Sequence, residues 1–112
     1  MKIILNNRDL SKILRPFNDI GFVPTMGGIH EGHISLIKKS IKFNKKTIVS
    51  IFINPKQFNN IKDFKTYPSN IKKDIANLKK IKKLDFVYIP TFKDVYENKK
   101  KSEIKIKKKY KV

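Results

Sequence analysis

The chain has 112 residues, a formal net charge of +18 and no cysteine. This length accommodates one domain, and the absence of cysteine excludes a disulfide framework and a thiolate metal site. No stretch approaches the roughly 20 apolar residues of a membrane helix, and the N-terminal apolar run is too short for a signal peptide. We therefore expect a soluble, cytoplasmic protein that makes no contact with membranes.

The positive charge comes almost entirely from lysine, because arginine occurs only at Arg8 and Arg15. Isoleucine and asparagine are also frequent, whereas Ala76 is the only alanine, a bias typical of AT-rich genomes. Proteins that read nucleic acids usually use arginine forks and aromatic platforms. We interpret the charge as a solvated surface and keep a basic nucleic-acid-binding protein as the alternative from a different functional class.

Strands and helices alternate in the first half of the predicted structure. Met1–Leu5 is predicted as an edge strand, and Asp9 or Ser11 can cap a helix that runs to about Phe17. The apolar run Ile20–Val23 precedes a proline and is typical of a buried strand. After a glycine-containing loop, the next helix has an apolar face formed by Ile34, Leu36, Ile37 and Ile41.

The second half contains the strongest strand, Thr47–Ile53, which is apolar or β-branched almost throughout, as a central parallel strand should be. A helix opened by Pro68–Asn70 precedes a third core strand, Phe86–Ile89. Short connections predict an α/β, Rossmann-like, doubly wound parallel sheet with the three apolar strands adjacent at its centre. We also expect an exposed sheet edge after Ile89 that favours association. The inward face of the helix is predicted to contain Ile71, Ile75, Leu78 and Ile81.

Residues 1–97 are assigned to this domain, and residues 98–112 are assigned to a basic tail. Within the tail, Glu103 to Tyr110 alternates weakly between apolar and charged residues. Two interpretations remain open for the tail: a disordered segment, or a strand that lacks its partners.

The segment from Gly21 to His33 carries the candidate chemistry, because a buried strand leads through a glycine loop into a helix. Ligands bind α/β sheets at this position, where the helix N-terminus offers N–H groups and a partial positive charge to phosphate. His30 and His33 lie three residues apart at the helix start, so both can face one side. Two imidazoles there can stabilise the charge that develops on an α-phosphate during nucleotidyl transfer.

A metal pair or incidental surface histidines would give the same spacing. These are the only two histidines, no cysteine is available, and Glu31 lies off their face, so a stable zinc site lacks ligands. The complete strand–loop–helix segment favours nucleotide binding, and we predict no protein-bound metal site.

Four motifs occur in order along the chain and together resemble one known family. They are VPTMGGIHEGHISLI, Val49–Phe58 (VSIFINPKQF), Asp63–Pro68 (DFKTYP) and Asp85–Pro90 (DFVYIP) followed by Asp94-Val95-Tyr96. The chain resembles the N-terminal portion of pantothenate synthetases, or pantoate–β-alanine ligases, within the HxGH nucleotidyltransferase superfamily. The alternative within this class is another HxGH adenylyltransferase or cytidylyltransferase, against which the NPKQF motif argues.

The resemblance implies a reaction and a set of site residues. Family members convert pantoate and ATP into pantoyl adenylate, and β-alanine then displaces AMP. By this resemblance His33 matches the catalytic histidine, with His30 beside it at the phosphates. Gln57 matches the glutamine that binds pantoate, and Met26 also lines the pantoate and β-alanine site. ATP, with Mg²⁺, is implied to lie along Met26, Gly27, Gly28, Ile29, His30, Glu31, Gly32 and His33.

The chain departs from the family pattern in two respects. Ser69 stands where the family usually has arginine. Family chains are also considerably longer and carry a second pantoate glutamine, a lysine-bearing ATP loop, a serine–arginine motif and a small C-terminal domain. We therefore expect an incomplete domain, the N-terminal part only, without measurable turnover alone. The family forms homodimers, and the oligomeric state of this chain is left open.

Overall fold

The computed structural model describes residues 1–53 and 70–97, and strands alternate with helices within these ranges. The order of elements up to Tyr88 agrees with the alternation predicted from the sequence, and the helix that follows was not predicted. The elements are β1 (Lys2–Ile4), α1 (Asn7–Leu14), β2 (Ile20–Thr25), α2 (Glu31–Phe43), β3 (Lys46–Ile51), α3 (Ile71–Lys79), β4 (Phe86–Tyr88) and α4 (Phe92–Glu97). The predicted tail, residues 98–112, lies outside the described residues.

The described strands form one parallel sheet in the order β1-β4-β3-β2. The predicted parallel, adjacent arrangement of the three apolar strands is confirmed, with β3 between β2 and β4. The prediction that Ile20–Val23 lies at the centre of the sheet is wrong, because β2, which contains it, is the outermost of the described strands. The open edge expected after Ile89 is also wrong, because β1 pairs along β4, with Lys2 opposite Phe86.

Helices cover both faces of the sheet. Neighbouring residues of each strand point to opposite faces, so each face carries apolar side chains that pack against helices. Ile48 and Val49 of β3 belong to two different apolar clusters. The first cluster includes Ile37 of α2 and Leu78 of α3, and the second includes Leu10 of α1. This arrangement is the doubly wound architecture predicted from the sequence.

Two details of the predicted helices are corrected. Helix α1 is capped by Asn6, whose side chain accepts a hydrogen bond from the Asp9 backbone N–H at 2.8 Å, rather than by Asp9 or Ser11. Leu36 and Ile71 were expected to face inward, but they are 46% and 42% exposed. Their helices bury narrower faces than the apolar spacing suggested, and α3 places Asp74 in the interior instead.

Gly21 on β2 allows α2 to pack closely against the sheet. A Cβ atom at this position would lie 1.9 Å from Ser40 Oγ and 2.6 Å from Asn44 Nδ2. Ser40 Oγ cannot simply move away, because it lies 2.8 Å from Thr47 Oγ1 in a hydrogen bond. The glycine is therefore required by the spacing between helix and strand.

We expect Gly21→Ala to lower the free energy of unfolding by about 1–3 kcal/mol, because overpacking separates α2 from β2. Urea unfolding followed by circular dichroism measures the loss. Ser35→Ala is the matched control, since Ser35 is exposed on the same helix. A Gly21→Ala midpoint equal to that of the unsubstituted protein would show that α2 packs less closely than described.

Candidate functional site

A glycine loop follows β2 at the carboxyl edge of the sheet. The buried hydroxyl of Thr25 donates to the Ser50 carbonyl at 2.9 Å and accepts from the Gly27 N–H at 3.2 Å. Gly27 and Gly28 then adopt φ angles of 82° and 64°, the left-handed region in which a side chain is strained. The two glycines therefore turn the chain from β2 towards α2.

A carboxylate from another helix holds this loop. Asp74 of α3 accepts hydrogen bonds from the Gly28 N–H at 3.0 Å and the Ile29 N–H at 2.9 Å. Its side chain is buried, with 3% relative exposure. Asp74 lies four residues before the buried Leu78 and therefore on the same helix face. This spacing was the available sequence signal, because a carboxylate on a buried face requires hydrogen-bond partners.

The two histidines cap α2 together. His30 is the N-cap residue, and its Nδ1 accepts from the Gly32 N–H at 3.0 Å. The His30 N–H in turn donates to His33 Nδ1 at 3.2 Å, and the ring centroids lie 4.0 Å apart. Because each Nδ1 accepts a hydrogen bond, the proton of each neutral ring lies on Nε2. The capping arrangement thus leaves two Nε2–H donors for a ligand.

The environment of His33 favours its neutral form. Burial lowers the pKa of His33 below its ordinary value of 6.5, the neighbouring His30 lowers this pKa further, and Asp74 opposes both effects. A neutral imidazole donates through Nε2–H while Nδ1 remains an acceptor. The lowered pKa and the capping hydrogen bond therefore favour the same tautomer.

This lowered pKa predicts a loss of stability in acid. The unfolded chain binds a proton at His33 near pH 6.5, whereas the folded chain binds it only at lower pH. Stability from His33 is therefore fully present above that value and is lost as the pH falls below it. Urea midpoints at about pH 7.5 and about pH 5 test this expectation. His33→Gln should show a smaller acid loss, and an equal loss in both proteins would contradict the assignment.

The structure brings most of the predicted site residues to one place. Met26 is half-buried, Ile29 is buried, and Glu31, Gly32 and His30 are exposed around the start of α2. Gln57 and the motifs at 54–58 and 63–68 lie outside the described residues, so the convergence of Gln57 with His33 stays a prediction. Ser50, which accepts from Thr25, and Phe52, whose N–H donates to the Thr25 carbonyl at 3.0 Å, place the end of β3 beside the loop.

Neither a metal cluster nor a membrane-spanning helix is found in the described part of the chain. Among residues 1–53 and 70–97, no group of three or more histidine, cysteine, aspartate or glutamate side chains is arranged to hold a metal ion. In the same ranges, no helix is long and apolar enough to cross a membrane.

Comparison with known proteins gives consistent matches. The family model described as pantoate-beta-alanine ligase matches residues 2–112. The pantothenate synthetase of Flavobacterium psychrophilum is 44% identical over 107 residues, which are 92% of this chain and 38% of that protein. The pantothenate synthetase of Francisella philomiragia is 53% identical over 77 residues, or 69% of this chain and 29% of that protein.

Solved structures agree with the sequence matches. The pantoate-beta-alanine ligase of Francisella tularensis, complexed with beta-gamma ATP and beta-alanine, has a TM-score of 0.81 and 44% identity, covering 88% of this chain and 38% of that chain. The pantothenate synthetase of Thermus thermophilus has a TM-score of 0.79 and 33% identity over 86% of this chain and 34% of that chain. The chain thus spans well under half the length of the relatives it matches. It belongs to the pantoate–β-alanine ligase family.

Proposed function

We propose that this chain supplies the ATP-binding site and part of the pantoate site of an AMP-forming pantoate–β-alanine ligase. ATP, with Mg²⁺, would lie along the segment from Met26 to His33. Pantoate would be activated as its adenylate, and β-alanine would then displace AMP. The family membership and the solved relative with bound ATP and beta-alanine support this proposal.

The observation that carries the proposal is the pair of imidazoles at the start of α2 whose Nδ1 atoms both accept backbone N–H groups, which leaves each Nε2 as the donor. In the first step the pantoate carboxylate attacks the α-phosphorus of ATP, and pyrophosphate leaves. Negative charge builds on the α-phosphate oxygens during this step, and fixed donors at that position lower the barrier. His30 and His33 are held by the helix cap, so little reorganisation is required when the charge develops.

The glycines of the loop suggest that its backbone N–H groups bind phosphate, but the hydrogen bonds of these groups argue against direct contact. The N–H groups of Gly27, Gly28 and Ile29 already donate to Thr25 and Asp74. These hydrogen bonds would have to break before the three groups could bind a phosphate. We therefore assign the contact with the α-phosphate to the imidazoles and the helix N-terminus.

Gln57 is proposed to bind pantoate through its amide, which can donate to a carboxylate or hydroxyl without adding charge. The path of the chain supports this assignment, because the Phe52 N–H bonds to the Thr25 carbonyl at the end of β2. Phe52 therefore lies beside the glycine loop, five residues before Gln57 in the sequence. In the second step the amine of β-alanine would attack the acyl carbon of the adenylate and release AMP.

Calorimetric titration of the 112-residue protein with the Mg²⁺ complexes of ATP, CTP and GTP tests the proposal. We expect saturable binding with preference for ATP. Preference for CTP would favour a cytidylyltransferase instead. Equal, steeply salt-dependent binding of all three nucleotides would indicate attraction to the lysine-rich surface alone and would reject the proposed site.

A further inference from the structure

We propose that Asp74 is a positioning residue of the nucleotide site, which fixes the glycine loop so that the two imidazoles meet the α-phosphate. This inference rests on the proposed function, because it assumes that the loop and the histidines bind ATP. Asp74 itself would not touch the nucleotide. Its carboxylate would act through the peptide groups of Gly28 and Ile29.

The geometry is that of an anion site filled by the protein's own side chain. Two left-handed glycines turn the N–H groups of Gly28 and Ile29 to one side, and such concave arrangements bind anions. Each oxygen of the Asp74 carboxylate accepts one of these N–H groups, at 3.0 and 2.9 Å. A phosphate cannot enter this position without displacing a buried carboxylate.

The contact joins parts of the chain that are far apart in sequence. Asp74 and Ile29 are separated by 45 residues, and they lie on α3 and immediately before α2, respectively. Since α3 is held in the core by Leu78, Asp74 connects the loop to a fixed element of the fold. The loop is thereby positioned from outside its own segment.

The covalent chain from Ile29 to His30 and the hydrogen bonds of the helix cap carry this positioning to the histidines. Asp74 accepts from the N–H of Ile29, the residue before His30. The His30 N–H donates to His33 Nδ1, and His30 Nδ1 accepts from the Gly32 N–H. The loop therefore sets the place at which α2 begins and the direction of both rings. The carboxylate also lies close enough to raise the pKa of His33 against the effect of burial.

Packing alone does not require a carboxylate at this position. An apolar side chain would fill the interior of α3, whereas a buried charge is costly unless hydrogen bonds compensate for it. Both oxygens of Asp74 are used on consecutive peptide groups of the loop. The charge is therefore explained by the loop rather than by the contact between α3 and the sheet.

Asp74→Asn is the primary test, because it preserves size but turns an amide donor towards one of the two N–H groups. In the 112-residue protein, we expect faster hydrogen exchange at the Gly28 and Ile29 amides and an ATP affinity lower by about 10-fold or more. The charge-preserving variant Asp74→Glu should restore slow exchange at least partly, since it retains both acceptors. If Asp74→Asn does not fold, Asp74→Ser takes its place in both measurements, because its single hydroxyl cannot replace both carboxylate oxygens.

Asp85→Asn is the matched control. Asp85 also accepts a backbone N–H, from Thr47 at 2.8 Å, but at the amino edge of the sheet. This variant should leave both the exchange of the loop amides and the ATP affinity unchanged. If Asp85→Asn weakens ATP binding as much as Asp74→Asn does, the loss reflects a general effect of charge or stability. That result would overturn the inference.

The remaining outcomes separate the inference from the proposed function. If the unsubstituted protein binds no ATP, the proposed function fails, and the positioning role fails with it. If it binds ATP but Asp74→Asn retains full affinity despite faster amide exchange, the positioning role alone is overturned. Unchanged exchange at Gly28 and Ile29 would show that Asp74 does not hold the loop.

Discussion

Purified alone, the 112-residue chain is expected to produce no pantoate-dependent AMP above background. The described part supplies the glycine loop and two imidazoles, but the chain spans 38% of the length of the Flavobacterium relative. Removal of a single positioned donor typically lowers a rate by about 10²–10³-fold. If several such groups lie in the part of the relatives that this chain does not match, their combined absence lowers the rate below detection. Such effects are not simply additive.

The measurement is a coupled assay for AMP release with pantoate, β-alanine and magnesium ATP. His33→Ala is the control that separates turnover at this site from contaminating activity. Steady AMP formation that requires pantoate and disappears in His33→Ala would contradict the prediction. The 112-residue chain would then be a ligase in its own right.

The second large effect is expected in nucleotide binding. His33→Ala should weaken ATP binding by about 10- to 100-fold, because a hydrogen bond to a charged group contributes about 1.5–3 kcal/mol. His30→Ala should have an effect of similar size, since it removes both a donor and the helix cap. The double variant should lose less than the sum of the two, because the rings are in contact.

Lys39→Gln provides the matched control for this second prediction. Lys39 is exposed on the same helix, so its replacement removes a positive charge without changing the cap. We expect its ATP affinity to remain within about 2-fold of the unsubstituted value at moderate salt. If Lys39→Gln weakens binding as much as His33→Ala does, the general positive charge rather than the histidine pair holds the nucleotide.

The strands at the core of the sheet could be predicted from sequence because their signals are local. The apolar run that begins at Thr47 is too continuous for a surface element, and Pro90 ends the run that begins at Phe86. Parallel pairing followed from the helices between the strands. The pairing of β1 with β4 could not be predicted, since three residues with one buried side chain do not specify a partner.

The candidate site was predictable only in part, for a similar reason. The glycines and histidines lie in one short segment, and their chemistry is visible from their spacing. Asp74 is 46 residues from Gly28, and its role depends on the docking of α3, which no local pattern encodes. Spacing also placed Leu36 and Ile71 inward, whereas the actual helix orientations expose them.

The central claim, that the segment from Met26 to His33 is a nucleotide site, is tested most directly by nuclear magnetic resonance during a titration with magnesium ATP. We predict saturable shifts of the backbone amides in this segment and of the Nε2 nitrogens of His30 and His33, which should report Nε2–H tautomers before ATP is added. The amides at the amino edge of the sheet, such as Thr47, should not move. Shifts spread over the exposed lysines without saturation, or an undisturbed histidine pair at saturating ATP, would contradict the claim.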